Sequence, residues 1–374
     1  VTASGVTSTS SLFVVYRSDW GLTPANIATV FAAYVGTLLP ALLVMSGVAN
    51  RYPRRVLLTV GLVLSAVGVA SLALAQGMPM LIFARLAQGL GVGVSIGALT
   101  AAFSESYRGK LAQGTAIQIM AAIGLATGPM ITAVAWNLGG GLHWSYVPTL
   151  VLAVGVIALV PWLPERPAVA RALAAVDAAG GEATLPAATV WRGLTFAMLV
   201  IFVSWASLSI FLSLMPSYLA TTLQAGNPMV GAVAIAVTQA SSLGATVWFR
   251  RGAPERNGVW APVVMVTGLV VLVVGTQGNV PALVAVATVL VGGGAGVAAA
   301  AAFGVAERVS VGQRDKVFAR MYVAGYLGYS VPAMVIGAVA SRWGLTAGIV
   351  TVVVGLAGVV GMVGATSRRV EVTP

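Results

Sequence analysis

Twelve apolar runs, eleven of them 19 residues or longer, divide this chain between charged, glycine and proline punctuation. About 20 such residues in helical form cross the hydrocarbon core of a bilayer. The runs lie at 1 to 16, 25 to 48, 54 to 76, 79 to 103, 111 to 136 and 145 to 163, then at 192 to 221, 229 to 249, 259 to 277, 281 to 306, 315 to 340 and 344 to 367. Only 8% of residues are charged and 59% are hydrophobic, which leaves too little polar surface for a water-soluble fold. Backbone groups in lipid must be satisfied within the segment, and Gly- and Ala-rich runs without two-residue alternation favour helices over barrel strands. The chain is therefore expected to be an all-α polytopic membrane protein of 12 transmembrane helices in contact with a lipid bilayer.

Charge placement supports the count. With twelve spans and both termini cytoplasmic, 17 of the 20 basic residues fall in cytoplasmic segments, as the positive-inside rule requires. Arg17 and Arg342 fall outside, Arg85 falls within a span, and Asp19 is the one acid of nine placed outside. The net charge of +11 thus reflects orientation, and no nucleic-acid partner is implied. Arginine outnumbers lysine 18 to 2, a bias that hints at a GC-rich bacterial genome and places the chain in a cell inner membrane.

The two sets of six spans read as copies. Residues 1–163 form an N-terminal half, 164–191 a polar cytoplasmic linker, and 192–374 a C-terminal half. Thr23-Pro24 opens span 2 and Asn227-Pro228 opens span 8, each a capping residue followed by proline at the first helical position. Gln76-Gly77-Met78-Pro79 and Gln277-Gly278-Asn279-Val280-Pro281 precede spans 4 and 10, and Arg108-Gly109-Lys110 and Arg314-Asp315-Lys316 precede spans 5 and 11. An offset of roughly 200 residues suits a duplicated six-helix unit. Spans 3, 6, 9 and 12 are almost purely aliphatic or small, whereas 1, 5, 7, 8 and 11 carry Ser, Thr, Gln, Tyr and Trp. Uniformly apolar helices belong against lipid, and the others around a cavity.

Several chemistries have no residues to perform them. There is no cysteine and a single histidine, His143, so no metal site and no cofactor is expected, and an enzyme would lack a nucleophile with its base. No carboxylate lies mid-membrane to carry a proton. The chain begins at Val1, and the stretch to Tyr16 covers only about 24 Å as a helix, so part of the first helix is expected to be missing.

Three local patterns carry a family resemblance. The loop between spans 2 and 3 reads Gly47-Val48-Ala49-Asn50-Arg51-Tyr52-Pro53-Arg54-Arg55, close to G-x-x-D-R-x-G-R-R; span 4 contains Arg85-Leu86-Ala87-Gln88-Gly89; span 5 contains Gly124-Leu125-Ala126-Thr127-Gly128-Pro129. With the two six-helix halves, these resemble the major facilitator superfamily and, within it, the branch of drug and metabolite exporters. The resemblance implies pseudo-symmetric halves around a central cavity, gating residues at Gly47, Asn50, Arg51, Arg54 and Arg55, and a coupling role for Arg85 beside Gln88 and Gly89. It also implies a proton-antiport motif at Gly124, Gly128 and Pro129. Asn50 stands where the family has aspartate and Pro53 where it has glycine, which weakens the charged latch; Arg54 to Glu105 is the pairing left to close that side. Thr115 and Thr132 replace flanking glycines of the span 5 motif.

Candidate cavity residues follow from polarity at depth. Arg85 is the charged residue within a span, and it must face a cavity or a partner or snorkel to the interface. Tyr322, Tyr326 and Tyr329 fall at i, i+4 and i+7 along one stripe of span 11. Together with Tyr34, Gln118, Trp205 and Gln239 they form the expected substrate lining; any one of them serves equally well as glue between helices. Gly89, Gly93 and Gly97, at i, i+4 and i+8, give span 4 a face without side chains for close packing. An arginine without an embedded acid favours neutral or anionic substrates. The function expected is a monomeric secondary transporter that exports small amphiphilic molecules by alternating access, either in exchange for protons, with Asp19 or Glu105 near a span end as the carrier, or without coupling. An uptake carrier of the same fold is the alternative, and a non-transporting membrane sensor a remote one.

Overall fold

The computed structural model describes residues 2–48, 52–106, 113–163, 186–213, 226–249, 251–310 and 314–367, with Met215 and Leu219. Among the described residues every regular element is helical. The N-terminal half comprises α1 (Thr2–Thr7), α2 (Phe13–Trp20), α3 (Pro24–Val48), α4 (Arg54–Ala73), α5 (Met78–Ser106), α6 (Gln113–Ala135), α7 (Gly141–Trp144) and α8 (Val147–Leu159). The C-terminal half comprises α9 (Ala187–Ser213), α10 (Pro228–Trp248), α11 (Pro254–Gln277), α12 (Pro281–Val309), α13 (Arg314–Trp343) and α14 (Leu345–Ser367). Among the described residues ten helices are long and apolar enough to cross a membrane, and Val147–Trp162 forms a shorter apolar one.

The punctuation acts as the sequence suggests. Thr23 and Asn26 cap α3 reciprocally: Asn26 N donates to Thr23 Oγ1 at 3.2 Å and Thr23 N to Asn26 Oδ1 at 2.9 Å. Asn227 Oδ1 accepts from Met229 N at 2.8 Å, with Pro228 at the first helical position of α10.

The expected continuous helix over residues 1 to 16 is instead broken. Residues 8–12 tighten into turns in which Ser10 N bonds Thr7 O and Leu12 N bonds Thr9 O. The break falls on a run of hydroxyl residues, Ser8 to Ser11, all fully buried, in which the Ser8 side chain competes for a backbone carbonyl and Ser11 Oγ pairs with Thr132 Oγ1 at 3.0 Å. Ser8 Oγ donates to Gly5 O at 2.7 Å, and Thr132 Oγ1 reaches across from α6 to Ser8 O at 2.8 Å. The carbonyls released by the break thus find partners inside the protein, as they must at membrane depth.

Helix crossings repeat between the halves. A Cβ on Gly89 would collide with the Tyr34 carbonyl where α5 crosses α3, and one on Gly292 would collide with the Thr238 carbonyl where α12 crosses α10. One turn on, Gly93 meets the Leu38 carbonyl and Gly296 that of Ser242. Gly97 has open space at its Cβ position, so the small-residue face of α5 is used over two of its three glycines. The halves meet where α3 lies along α13 and α6 along α10.

Candidate functional site

A cavity of about 400 Å³ lies between the two halves. Its described lining comes from α1, α3, α5 and α6 on one side and α9, α12 and α13 on the other. None of it comes from α4, α8, α11 or α14, the helices of the aliphatic spans 3, 6, 9 and 12. Those helices carry a large share of the outward-facing valines and leucines, including Val63, Leu152, Val270 and Val354. Each half therefore turns its third and sixth spans away from the cavity.

The lining is aromatic and contains no acidic side chain among its described residues. Trp205 from α9 meets Tyr326 from α13 edge-on at 4.9 Å between ring centroids, and Tyr34 from α3 meets Tyr326 at 6.2 Å. Tyr322 stacks against Tyr326 at 6.4 Å, and Phe31 stacks against Tyr329 at 4.9 Å. The i, i+4, i+7 spacing on α13 is what delivers three phenols to one wall. Edge-on and offset aromatic pairs add about 0.5–1.5 kcal/mol beyond burial, so this cluster is a firm floor linking both halves. Tyr34 and Tyr326 are almost wholly covered, while Leu99 and Met120, on the same lining, are about half exposed. Leu99 and Met120 lie toward the ends of α5 and α6 that border the basic loops, so the cavity faces that end.

The opposite end is closed. A Cβ on Gly337 of α13 would come within 2.6 Å of the Ala28 Cβ of α3. Asn137, just past α6, and Asn227, the cap of α10, exchange side-chain amide hydrogen bonds at 3.1 and 2.8 Å.

Six of the eight expected lining residues, Tyr34, Gln118, Trp205, Tyr322, Tyr326 and Tyr329, meet at this cavity. Arg85 and Gln239 do not line it. Gln239 is buried and donates from Nε2 to the Ala122 carbonyl at 3.5 Å, joining α10 to α6 across the halves. Arg85 is 1% exposed and lies against the broken first helix. Its Nη1 donates to the Val6 carbonyl and to Gln88 Oε1, the latter at 3.0 Å, and Gln88 Nε2 donates to Gly5 O at 3.0 Å. Arg85 and Gln88 therefore hold carbonyls of the first helix's last turn before its break. A charge at this depth costs on the order of 3 kcal/mol on insertion scales. The face of Phe13, 6.0 Å from the guanidinium carbon, offsets part of that.

The remaining motif residues are structural in their described contacts. Gly124 and Gly128 let α1 approach α6, with a Cβ on Gly128 blocked by the Ser4 carbonyl, and Pro129 lies within α6. Arg55 donates from Nε and Nη2 to the Leu163 carbonyl at 2.9 and 2.6 Å, tying α4 to the end of the sixth span. Gly47 lies in the last turn of α3. Asn50 and Arg51 lie outside the described residues, as does the side chain of Glu105, so the expected Arg54 to Glu105 pairing falls outside them too.

Val92, Ile96 and Leu99 of α5 and Phe303 of α12 also line the cavity and were not among the expected residues. A signal was present: Val92, Ile96 and Leu99 follow Arg85 at i+7, i+11 and i+14, which is one helical stripe.

The comparisons with known proteins agree with this architecture. A family model described as Major Facilitator Superfamily matches residues 1–276. A 3-(3-hydroxy-phenyl)propionate transporter of Escherichia coli is 31% identical over 203 residues, 50% of this chain and 49% of that protein. The chain thus aligns over about half the length of this curated relative. Among solved structures, the nucleoside transporter NupG superposes with a TM-score of 0.68 at 12% identity, over 99% of this chain and 98% of that one. The human organic anion transporter MFSD10 superposes with a TM-score of 0.69 at 14% identity, over 98% of this chain and 96% of that one. A cavity between two six-span halves, a family model matched across their junction and whole-length likenesses in fold lead to one conclusion: the chain belongs to the major facilitator superfamily.

Proposed function

We propose that the chain is a secondary transporter of small amphiphilic organic molecules, neutral or anionic, working by alternating access. The observation that carries this is the aromatic cavity of about 400 Å³ with no acidic side chain in its described lining. A single ring with a short polar chain fits that volume, and stacked tyrosines beside Trp205 bind a flat apolar group while their hydroxyls meet polar ones. An organic cation would find no counter-charge there. The 3-(3-hydroxy-phenyl)propionate transporter, similar over half the chain, supports aromatic acids as the first class to try.

The direction proposed is export, supported by the likeness of Gly124, Gly128 and Pro129 to the antiporter pattern. A cavity facing the basic-loop end is one that loads from the cytoplasm under the positive-inside orientation. Flux of radiolabelled aromatic acids in everted and right-side-out vesicles, with and without a pH gradient, tests direction and coupling together. Export by proton exchange predicts gradient-stimulated accumulation in everted vesicles. Accumulation in right-side-out vesicles alone would make this an uptake carrier, and indifference to the gradient would remove the antiport claim.

A further inference from the structure

Arg85 spends one corner of its guanidinium and leaves one edge unspent. Nη1 serves the Val6 carbonyl and Gln88 Oε1, whereas Nε and Nη2, both buried, have no hydrogen-bond partner among the described residues. Those two N–H groups lie side by side in the guanidinium plane. Two parallel donors at that spacing match the two oxygens of one carboxylate. Buried charges are ordinarily paired. The near neighbours of this one are neutral: the Phe13 ring, and the phenols of Tyr16, Tyr34, Tyr146 and Tyr329.

Two features join the edge to the cavity. Val6 lines the cavity and meets the guanidinium with its own carbonyl, so a single residue bridges the two. Arg85 also heads the α5 stripe that continues through Val92, Ile96 and Leu99 on the lining, about 10 Å deeper than Val92 at the helical rise. Tyr34 and Tyr329 line the cavity and are among the phenols close enough to act electrostatically on the guanidinium.

We infer that the free Nε–Nη2 edge of Arg85 binds the carboxylate of the transported molecule, which makes the preferred substrate a small aromatic acid carried as its anion. The inference rests on the transporter reading and narrows its substrate class. Ring recognition falls to Trp205 and the tyrosines, and charge recognition to one arginine edge that lies deeper in the protein.

The test compares 3-phenylpropionate with 3-phenylpropionamide, which keep the same ring and chain, by calorimetric titration of the purified full chain in nanodiscs. The acid is expected to bind at least ten-fold tighter than the amide. Arg85→Lys, which keeps the charge and loses the paired donors, is expected to bring acid and amide within about three-fold of each other. Equal affinity of the two for the unmodified protein, or binding of neither, overturns the inference, and that comparison needs no variant to fold. A preference that survives Arg85→Lys overturns it as well. Sodium chloride added to 0.3 M, at ionic strength matched with sodium gluconate, separates the remaining source: displacement of the acid by chloride alone would assign the edge to inorganic anions and overturn the carboxylate assignment. Proteoliposome flux of the amide serves as the independent control. If the amide is carried and the acid is not preferred, the inference fails while the transporter reading stands; if neither crosses, the transporter reading fails.

Discussion

Arg85 and the glycines of α5 show how far a residue's role depends on what it meets. The depth and charge of Arg85 were legible in the sequence, but its partners were not, because Val6 and Gly5 act through backbone carbonyls that only the break in the first helix releases. Gln88→Leu removes the side-chain acceptor of Arg85 and leaves the Gly5 carbonyl without its α5 donor. The Gly5 carbonyl keeps Ser8 Oγ and Arg85 Nη1 keeps the Val6 carbonyl, so two hydrogen bonds are lost at about 0.5–1.5 kcal/mol each, and the melting temperature in detergent is expected to fall by a few degrees. The glycine stripe offers a sharper contrast. Gly89→Ala puts a methyl group against the Tyr34 carbonyl, whereas Gly97→Ala fills open space. Overpacking costs about 1–3 kcal/mol, and thermal unfolding should therefore separate Gly89→Ala from a near-neutral Gly97→Ala. Equal effects would mean that the α3–α5 crossing is not the close one.

At the scale of elements, the spans were legible because membrane crossing imposes length and apolarity on each of them. The assignment of spans 3, 6, 9 and 12 to the outside followed from the same constraint, and none of them contributes to the described cavity lining. The break in the first span was not legible because hydropathy registers Ser8 to Ser11 as mildly polar, and does not register the bond of Ser8 Oγ to the Gly5 carbonyl or of Thr132 Oγ1 to that of Ser8. Gln239 was placed in the cavity on polarity alone, and its contact with the Ala122 carbonyl across the halves depends on how α6 lies along α10. The same junction carries the Asn137–Asn227 amide pair at the closed end. Asn137→Ala breaks that pair and leaves the α10 cap intact, since Asn227 still accepts from Met229 N. Each hydrogen bond is worth about 0.5–1.5 kcal/mol, so opening of this end should become several-fold more frequent. The chain has no cysteine, and maleimide labelling of a single Ala25→Cys beside Gly337 would read the change directly. An unchanged labelling rate would show that the amide pair does not hold the end shut.

The whole molecule is two copies of one plan, closed at one end and hollow toward the other. The repeat was visible in punctuation before any crossing was known, and the crossings of α5 over α3 and α12 over α10 repeat it in three dimensions. The aromatic floor belongs to both halves at once, Tyr34 from one and Trp205, Tyr326 and Tyr329 from the other. That placement was only partly legible, because a tyrosine stripe at mid-membrane depth looks alike whether it faces a cavity or a neighbouring helix. If this floor is where the transported molecule rests, movement of one half against the other must pass the molecule across it. Counterflow in proteoliposomes measures that step without any assumption about the energy source. Vesicles preloaded with unlabelled 3-phenylpropionate are expected to accumulate the labelled compound transiently above protein-free vesicles, with the overshoot lost in Trp205→Ala. A trace indistinguishable from protein-free vesicles, or an overshoot that Trp205→Ala leaves intact, would contradict transport through this cavity.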